Sequence, residues 1–462
     1  MRTMPKKRIY LNAFEMNTPG HQSPGLWAHP DDQSHRYKDS GYWIELARIL
    51  EESRYDAVFL ADVLGTYDVY GQSRDAAVRQ GAQSPVNDPT LVVPLMAAVT
   101  NHLGFGVTAS VSHEHPYTFA RRLSTLDHLT NGRVGWNIVT SYLKSAALNM
   151  GLDGQVSHDE RYDIAEEYLE VCYKLWEGSW EDDAVKVDKV NRVYTDPSKV
   201  HDIRHEGKYF KVPGAHLSEP SKQRTPVLFQ AGASSKGRAF AGRHTELAFI
   251  GAPTKNAARQ TVTRLREAAA DAGRNPDEIK ILTLITPVIG RTEEEARAKF
   301  EEYQSYISDE GALALFGGWT GVDLSGADLD AGVDYVENDA IRSTLETFTK
   351  IDPERNWTIR EIIKSIGVGG MGTAVVGTPE QVADELESWA DETGVDGFNI
   401  AYALAHKTFK EFGEWVIPIL QERGRVPKGY EGTSLRDNLF GNGDRLPEHH
   451  PGKQFSLKPE TI

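Results

Sequence analysis

Strand-like and helix-like segments alternate along nearly the whole chain, and no hairpin turn joins one apolar strand to the next. The pattern predicts strands at Ile9–Phe14, Ala57–Ala61, Gly104–Val111, Val134–Val139, Pro226–Gln230, Leu247–Ile250, Ile281–Ile289 and Gly397–Tyr402. Helical spacing follows at Tyr42–Glu52, Leu91–Val99, Tyr117–Leu129, Asp159–Trp176, Ser235–His244, Arg264–Ala272 and Lys407–Arg423. Two further helices are predicted to open on capping boxes, Thr292–Glu295 and Thr378–Gln381. Strands joined through helices pair in parallel. Eight such units are the number that closes a barrel, so the expected fold is α/β, a (β/α)8 TIM barrel, with an open doubly wound sheet as the alternative. Stretches at about 15–40, 179–224 and 308–372 are too long for simple connections and are expected to be barrel insertions. The barrel would occupy 1–424 as one domain. A tail, 425–462, rich in Pro, Gly and charge, would wrap the surface or a neighbouring subunit.

Charge narrows the partners. The 462 residues carry 51 Lys+Arg against 67 Asp+Glu, a net −16, which argues against nucleic acid and against anionic membrane surfaces. The single cysteine, Cys172, excludes an internal disulfide and a thiolate zinc cluster, and its apolar helical setting favours packing over reactivity. The basic start, Met1–Arg8, leads into an apolar stretch broken by Asn12 and Glu15, so a signal peptide is not expected, and no run of 18 apolar residues occurs. The expected location is cytoplasmic.

Several motifs are weighed and set aside. Gly367-Val368-Gly369-Gly370-Met371-Gly372 fits G-x-G-x-x-G, but a helix precedes it and a strand follows, the reverse of a dinucleotide fold, so a hinge is expected. His113-Glu114-His115 could place two imidazoles on one face, yet no third ligand has matching spacing, and no metal is expected. His449-His450 is expected to be solvated, and neither G-x-S-x-G nor H-E-x-x-H occurs. More informative are polar residues at strand ends: Asp62, Thr108, Asn137, Thr140, Ser141 and Gln230. In a barrel these ends form the active-site face. After the fifth strand, Ala231-Gly232-Ala233-Ser234-Ser235-Lys236-Gly237 leads into a helix, which could either cap it or hold a phosphate. His158 and Tyr162, at i and i+4, present donors to one spot, whereas Arg161 and Asp163 are read as solvated charges.

Asn12–Asn17, Phe59–Asp62, Ser124–His128, Gly132–Ser141 and His158–Tyr162 resemble the bacterial-luciferase-like flavin monooxygenases. The likeness runs from about residue 8 to about 445. It points to the branch holding nitrilotriacetate, dibenzothiophene-sulfone and long-chain alkane monooxygenases, and Ala61–Tyr70, Ser73–Asp75 and Val86–Pro89 look most like the alkane enzyme. The resemblance implies a two-component enzyme: FMN arrives reduced from a separate NAD(P)H:flavin reductase, and one atom of O2 enters a small organic substrate. Carried over by position, Asp62, Thr108, Asn137, Ser141, His158, Tyr162, Ser234 and Ser235 would hold FMN, the last three near its phosphate. His21, Tyr67 and Gln83 would do the chemistry at the flavin's reactive edge. Thr18, Tyr142, Phe316 and Trp319 would meet the substrate, the last two from a candidate lid. The chain departs from the alkane enzyme at Thr18, Tyr142 and near Ala312, so the substrate stays open between an alkane-like molecule and an aromatic or xenobiotic one. Alternatives are a riboflavin lyase that cuts the ribityl chain to give lumichrome, a non-catalytic flavin-binding relative, and a deazaflavin-dependent dehydrogenase. A homodimer or homotetramer is expected from the resemblance.

Overall fold

The computed structural model describes residues 7–232, 234–332 and 357–457; Met1–Lys6, Ala233, part of the third insertion (333–356) and the last tail residues (458–462) lie outside them. In chain order the large-sheet strands are β1 (Tyr10–Met16), β2 (Ala57–Ala61), β3 (Gly104–Ser110), β4 (Val134–Val139), β5 (Val227–Gln230), β6 (Leu247–Ile250), β7 (Lys280–Ile289), β8 (Thr373–Gly377) and β9 (Gly397–Ala401). All pair in parallel. The ring runs from β1 to β7, then through β9 back to β1, with Leu247 opposite Lys280 and Tyr10 opposite Gly397 at two of the seams. The sheet is therefore a closed eight-stranded barrel and not an open one. The extra strand β8 lies along the upper half of β7, with Ile285 opposite Thr373.

Alternation within the strands fills two layers. One set of residues packs inside the barrel, with Tyr10, Phe59, Phe229, Phe249 and Leu282 in a single cluster. The other set packs against surrounding helices in a larger core. The inner aromatic layer needs room: a Cβ on Gly106 or Gly135 would lie 2.5 or 2.8 Å from the Phe229 ring. Only residues without a side chain fit beside it there.

The helices that matter below are α1 (Ser40–Glu52), α2 (Pro116–Leu129), α3 (His158–Gly178), α4 (Ser235–His244), α5 (Lys255–Asp271), α6 (Glu293–Ser305), α7 (Asp309–Thr320), α8 (Ile359–Gly367), α9 (Pro379–Thr393), α10 (Lys407–Trp415), α11 (Ile417–Glu422) and α12 (Leu435–Phe440). The predicted Leu91–Val99 helix shortens to Val93–Ala97 after a 3-10 turn at Pro89–Leu91. The predicted Lys407–Arg423 helix breaks at Val416, because Pro418 has no N–H to continue the ladder. The Thr378 capping box is complete, but the one at Thr292 is half made: Glu295 accepts from the Arg291 amide instead of the cap residue's own. An unpredicted box, Thr358 with Glu361, starts α8.

Insertion 179–224 folds as two small hairpins, Val185–Asp188 with Val193–Thr195 and His205–Glu206 with Lys211–Val212. In the third insertion α7 and α8 pack together with Tyr67 and Trp357 into a separate apolar cluster. The tail is no surface strap. Its helix α12 inserts Leu435 and Leu439 beneath the inner layer, next to Ala57 and Tyr10, and so plugs the N-terminal end of the barrel. His450 is likewise not solvated: it is buried, its Nε2 bonds the His244 carbonyl, and its Nδ1 accepts from the Gly452 amide. Its neighbour His449 is half exposed and pairs with Glu278. Cys172 is fully buried, and burial pushes its thiol well above the ordinary range, as a packing residue requires.

Candidate active site

At the C-terminal end of the barrel lies a cavity of about 260 Å3. Its floor is aromatic. The Phe14 and Phe59 rings stack at 5.0 Å and Phe59 stacks on Phe249 at 4.2 Å, giving a row of stacked apolar rings above the filled barrel interior.

Around that floor the strand-end polar residues converge. Asp62, Thr108, Asn137, Ser141, His158, Tyr162 and Ser234 all line the cavity. The Asn137 Nδ2 donates to Thr108 Oγ1 at 3.0 Å, which fixes the amide and leaves Asn137 Oδ1 buried with no partner among the described residues. Gln230 Oε1, also in the wall, is buried and unpartnered in the same way. Buried polar atoms are seldom left so unless something else binds them. Ser141 holds a left-handed backbone at φ 56° with its hydroxyl 2.7 Å from Ser110, strain of the kind that persists where a side chain must be aimed. Burial, with Asp88 adding to it, pushes the Asp62 carboxyl up to about 7.

The far end is a small polar cradle. Ser234 caps α4 by accepting from the Gly237 amide, and the Tyr162 hydroxyl bonds Ser234 and Gln230. A Cβ on Gly237 would lie 2.7 Å from the Tyr162 hydroxyl and 3.0 Å from Ser234 Oγ; one on Gly232 would meet Gln230 at 2.4 Å. Two glycines therefore keep open the space in front of a helix N-terminus, where an anion is favoured. Ser235 is exposed and does not line the cavity. Arg161, read from sequence as solvated, is instead buried in the wall. Its place at i+3 from His158 on the same face of α3 was the signal that could have found it.

The wall also includes His21, Gln83, Tyr142 and Trp319. Burial drives the His21 imidazole down to about 3, so the ring is neutral, although the Phe14 carbonyl works in the other direction. Gln83 sits at φ 51°; its Nε2 donates to the His21 carbonyl at 2.9 Å and its Oε1 accepts from the Tyr67 hydroxyl at 2.7 Å. Tyr67 lies one layer back. It does not line the cavity but holds both Gln83 and, at 2.7 Å, Tyr142. Trp319 reaches in from α7 and donates to Tyr67 at 3.2 Å. Two residues expected at the substrate do not line the cavity. Thr18 is buried and donates to the Pro85 carbonyl at 2.7 Å, and Phe316 is enclosed in the α7–α8 cluster. Ala312 is buried in the same helix.

The other motifs take structural roles. His115 accepts from the Tyr117 amide to cap α2, and Glu114 pairs with Arg122. No group of three ligating side chains occurs among the described residues. The G-x-G-x-x-G run turns from α8 into β8; Gly370, at φ 60°, lets the backbone pass where a Cβ would be 1.8 Å from Gln22 Oε1.

Residues 16–397 match the family of luciferase-like monooxygenases. The chain belongs to that family. It is 53% identical over 451 residues to dimethyl-sulfide monooxygenase of Hyphomicrobium sulfonivorans, covering 97% of this chain and 94% of the relative. The solved structure of DmoA from that organism superposes with a TM-score of 0.90, covering 97% and 96%. Long-chain alkane monooxygenase of Geobacillus thermodenitrificans (strain NG80-2) is 50% identical over 450 residues, covering 97% and 98%. A solved riboflavin lyase, with modified FMN and riboflavin, is 38% identical at a TM-score of 0.92, covering 98% of this chain and all of the other, 100%. The dibenzothiophene-sulfone and nitrilotriacetate monooxygenases of the expected branch are also relatives, at 37% and 34% identity. The chain is thus a flavin-dependent monooxygenase, and the reading as a non-catalytic relative falls away.

The residues present fit a flavin. A planar ring has an aromatic floor to lie on, the orphaned amide oxygen of Asn137 can meet an N–H group at its edge, and the glycine-lined cradle beside Gln230 can take a terminal phosphate.

Proposed function

We propose that this chain is the oxygenase component of a two-component system. It would take reduced FMN from a separate NAD(P)H:flavin reductase and place one atom of O2 in a small, largely apolar substrate. The single observation that carries the reading is the cavity itself: an aromatic floor, the orphaned Asn137 acceptor in its wall, and a phosphate-sized cradle built by Tyr162, Ser234 and Gln230. When bound, the flavin supplies the two electrons and activates O2, so that a substrate C–H becomes C–OH, the second oxygen leaves as water, and the flavin returns oxidised. The protein binds, orients and keeps water out. Tyr162, Ser234, Gln230 and the α4 N-terminus would hold the phosphate end, with Asn137 at the ring's polar edge. His21, kept neutral, Gln83 and Tyr142 would face the reacting side, with Trp319 closing it.

The riboflavin lyase is 38% identical, against 53% and 50% for the two monooxygenases, which speaks against the lyase reading. The two relatives named for a dialkyl sulfide and for alkanes support an apolar substrate. The test is a coupled assay with FMN, NADH and a general flavin reductase, run on dimethyl sulfide, n-alkanes and riboflavin. The expected result is substrate-dependent O2 uptake with dimethyl sulfide or an alkane and none with riboflavin. Lumichrome from riboflavin, or peroxide alone from every substrate, would refute it.

A further inference from the structure

The hydrogen bonds behind the substrate wall have only one consistent direction. The His21 carbonyl can only accept, so the nitrogen of the Gln83 amide must face it, at 2.9 Å. Gln83 Oε1 then faces the Tyr67 hydroxyl and, as an acceptor, takes that hydroxyl's one proton at 2.7 Å. Trp319 Nε1 can only donate, and it occupies one lone pair of Tyr67 at 3.2 Å. Tyr67 has one lone pair left, and Tyr142 lies 2.7 Å away. The bond between the two tyrosines must therefore run from Tyr142 to Tyr67.

The geometry points to Tyr67 as a positioning and specificity residue that consumes the proton of Tyr142, so that Tyr142 meets the substrate as a hydrogen-bond acceptor only. Reversing the chain would need the Gln83 amide to flip and set its oxygen against the His21 carbonyl. Both tyrosines stay protonated for the argument to hold: burial pushes Tyr67 up to about 12 and Tyr142 well above its ordinary range. The selectivity follows from chemistry. An apolar molecule, or one that brings an N–H or O–H, is accepted at Tyr142. A group that only accepts, such as a sulfone, sulfoxide, carbonyl or carboxylate oxygen, meets lone pairs and loses its hydration without replacement. This placement of the substrate rests on the flavin reading above, whereas the direction of the chain does not. Trp319 belongs to α7, so the arrangement is complete only when that helix is docked.

Two measurements test the inference. Neutron diffraction from deuterium-exchanged crystals of the full chain locates the hydroxyl deuterons without mutation. A Tyr142 deuteron aimed at Tyr67 is expected; one aimed into the cavity overturns the proposal. The second uses the FMN-bound protein and two small probes titrated by NMR: pyrrole, which donates through N–H, and dimethyl sulfoxide, which only accepts. Wild type should bind pyrrole at least about fivefold more tightly, the worth of one hydrogen bond. Tyr67→Phe frees the Tyr142 proton, so dimethyl sulfoxide should bind about fivefold more tightly than to wild type. Tyr142→Phe should lose the preference for pyrrole with no gain for dimethyl sulfoxide. A gain of affinity is not what simple loosening of the site would give. An unchanged preference in Tyr67→Phe overturns the proposal. Failure of FMN to bind would refute the flavin reading alone, because the neutron result stands apart from it.

Discussion

Arg436 → Met removes a buried cation from the plug beneath the barrel, and its cost can be worked from the contacts. The guanidinium donates to Glu246 through Nε at 2.8 Å and through one terminal nitrogen at 2.9 Å, and to the carbonyls of Thr225 at 3.0 Å and Asp444 at 2.8 Å. Its side chain is 2% exposed and that of Glu246 6%. Without Arg436 the Glu246 carboxylate stays buried, with the Leu228 amide still donating to it at 3.0 Å. Breaking such a pair costs about 3–5 kcal/mol, whereas replacing both partners by apolar residues is often nearly neutral. Unfolding entropy of about 2.1 cal/mol/K per residue makes each kcal/mol worth about 1 °C in a chain this long, so the expected loss is about 3–5 °C in Tm by scanning calorimetry at pH 7. The double variant with Glu246→Leu should recover most of it. Burial is the largest single influence and raises the Glu246 pKa, but Arg436, helped by His450 and the Leu228 amide, brings the carboxyl below its ordinary value. A depressed carboxyl contributes stability above the unfolded pKa of about 4.3 and loses it as pH falls through the folded value, so the deficit should shrink near pH 3. FMN affinity should not change, because the plug is at the end of the barrel away from the cavity. A single-variant loss below about 1 kcal/mol at pH 7, well under the cost of a broken buried pair, would refute the reasoning.

Gly237→Ala places a methyl between Tyr162 and Ser234, and FMN binding measured by fluorescence quenching should weaken by at least about tenfold, or ~1.4 kcal/mol. Asp62 carries a raised pKa of about 7, so its folded state holds a proton that the unfolded chain releases near 3.9; stability falls as pH rises between these values. Asp62→Asn should therefore match wild type in urea unfolding of the flavin-free protein near pH 4 and exceed it by up to about 4 kcal/mol above pH 7, from ~1.36 kcal/mol per pKa unit. Gly318→Ala drives a Cβ to 1.8 Å from the Tyr67 ring. Overpacking of about 1–3 kcal/mol should follow, and coupled product formation should fall further than Tm suggests, with peroxide release rising.

The barrel was legible because its strands are buried on both faces, which leaves near-continuous apolar runs that helical spacing interrupts at regular intervals. Periodicity reports that a side chain is buried but not which cavity buries it, and the errors follow from that. Arg161 looked like surface charge beside Asp163, yet α3 turns it inward with His158 and Tyr162. Leu435, Arg436 and His450 lie in a stretch whose Pro, Gly and charge content suggests a solvated tail, but the barrel's open lower end supplies both an apolar hole and a buried Glu246 to receive them. The site shows the same division. Asp62, Thr108, Asn137 and Ser141 could be placed because a strand end has a fixed position in a barrel. Tyr67, Gln83, Tyr142 and Trp319 come from four separate segments, with up to 252 residues between Tyr67 and Trp319, and only tertiary packing brings them within hydrogen-bond reach. Family resemblance selected most of these residues without their order of contact. It gave Thr18 and Phe316 to the substrate, whereas packing keeps both out of the cavity wall, and it set Tyr67 at the cavity when its place is one bond behind. That one-bond displacement changes its chemistry: a hydroxyl that cannot touch the substrate can still decide which proton the substrate meets, because each hydroxyl in the chain has a single hydrogen to give.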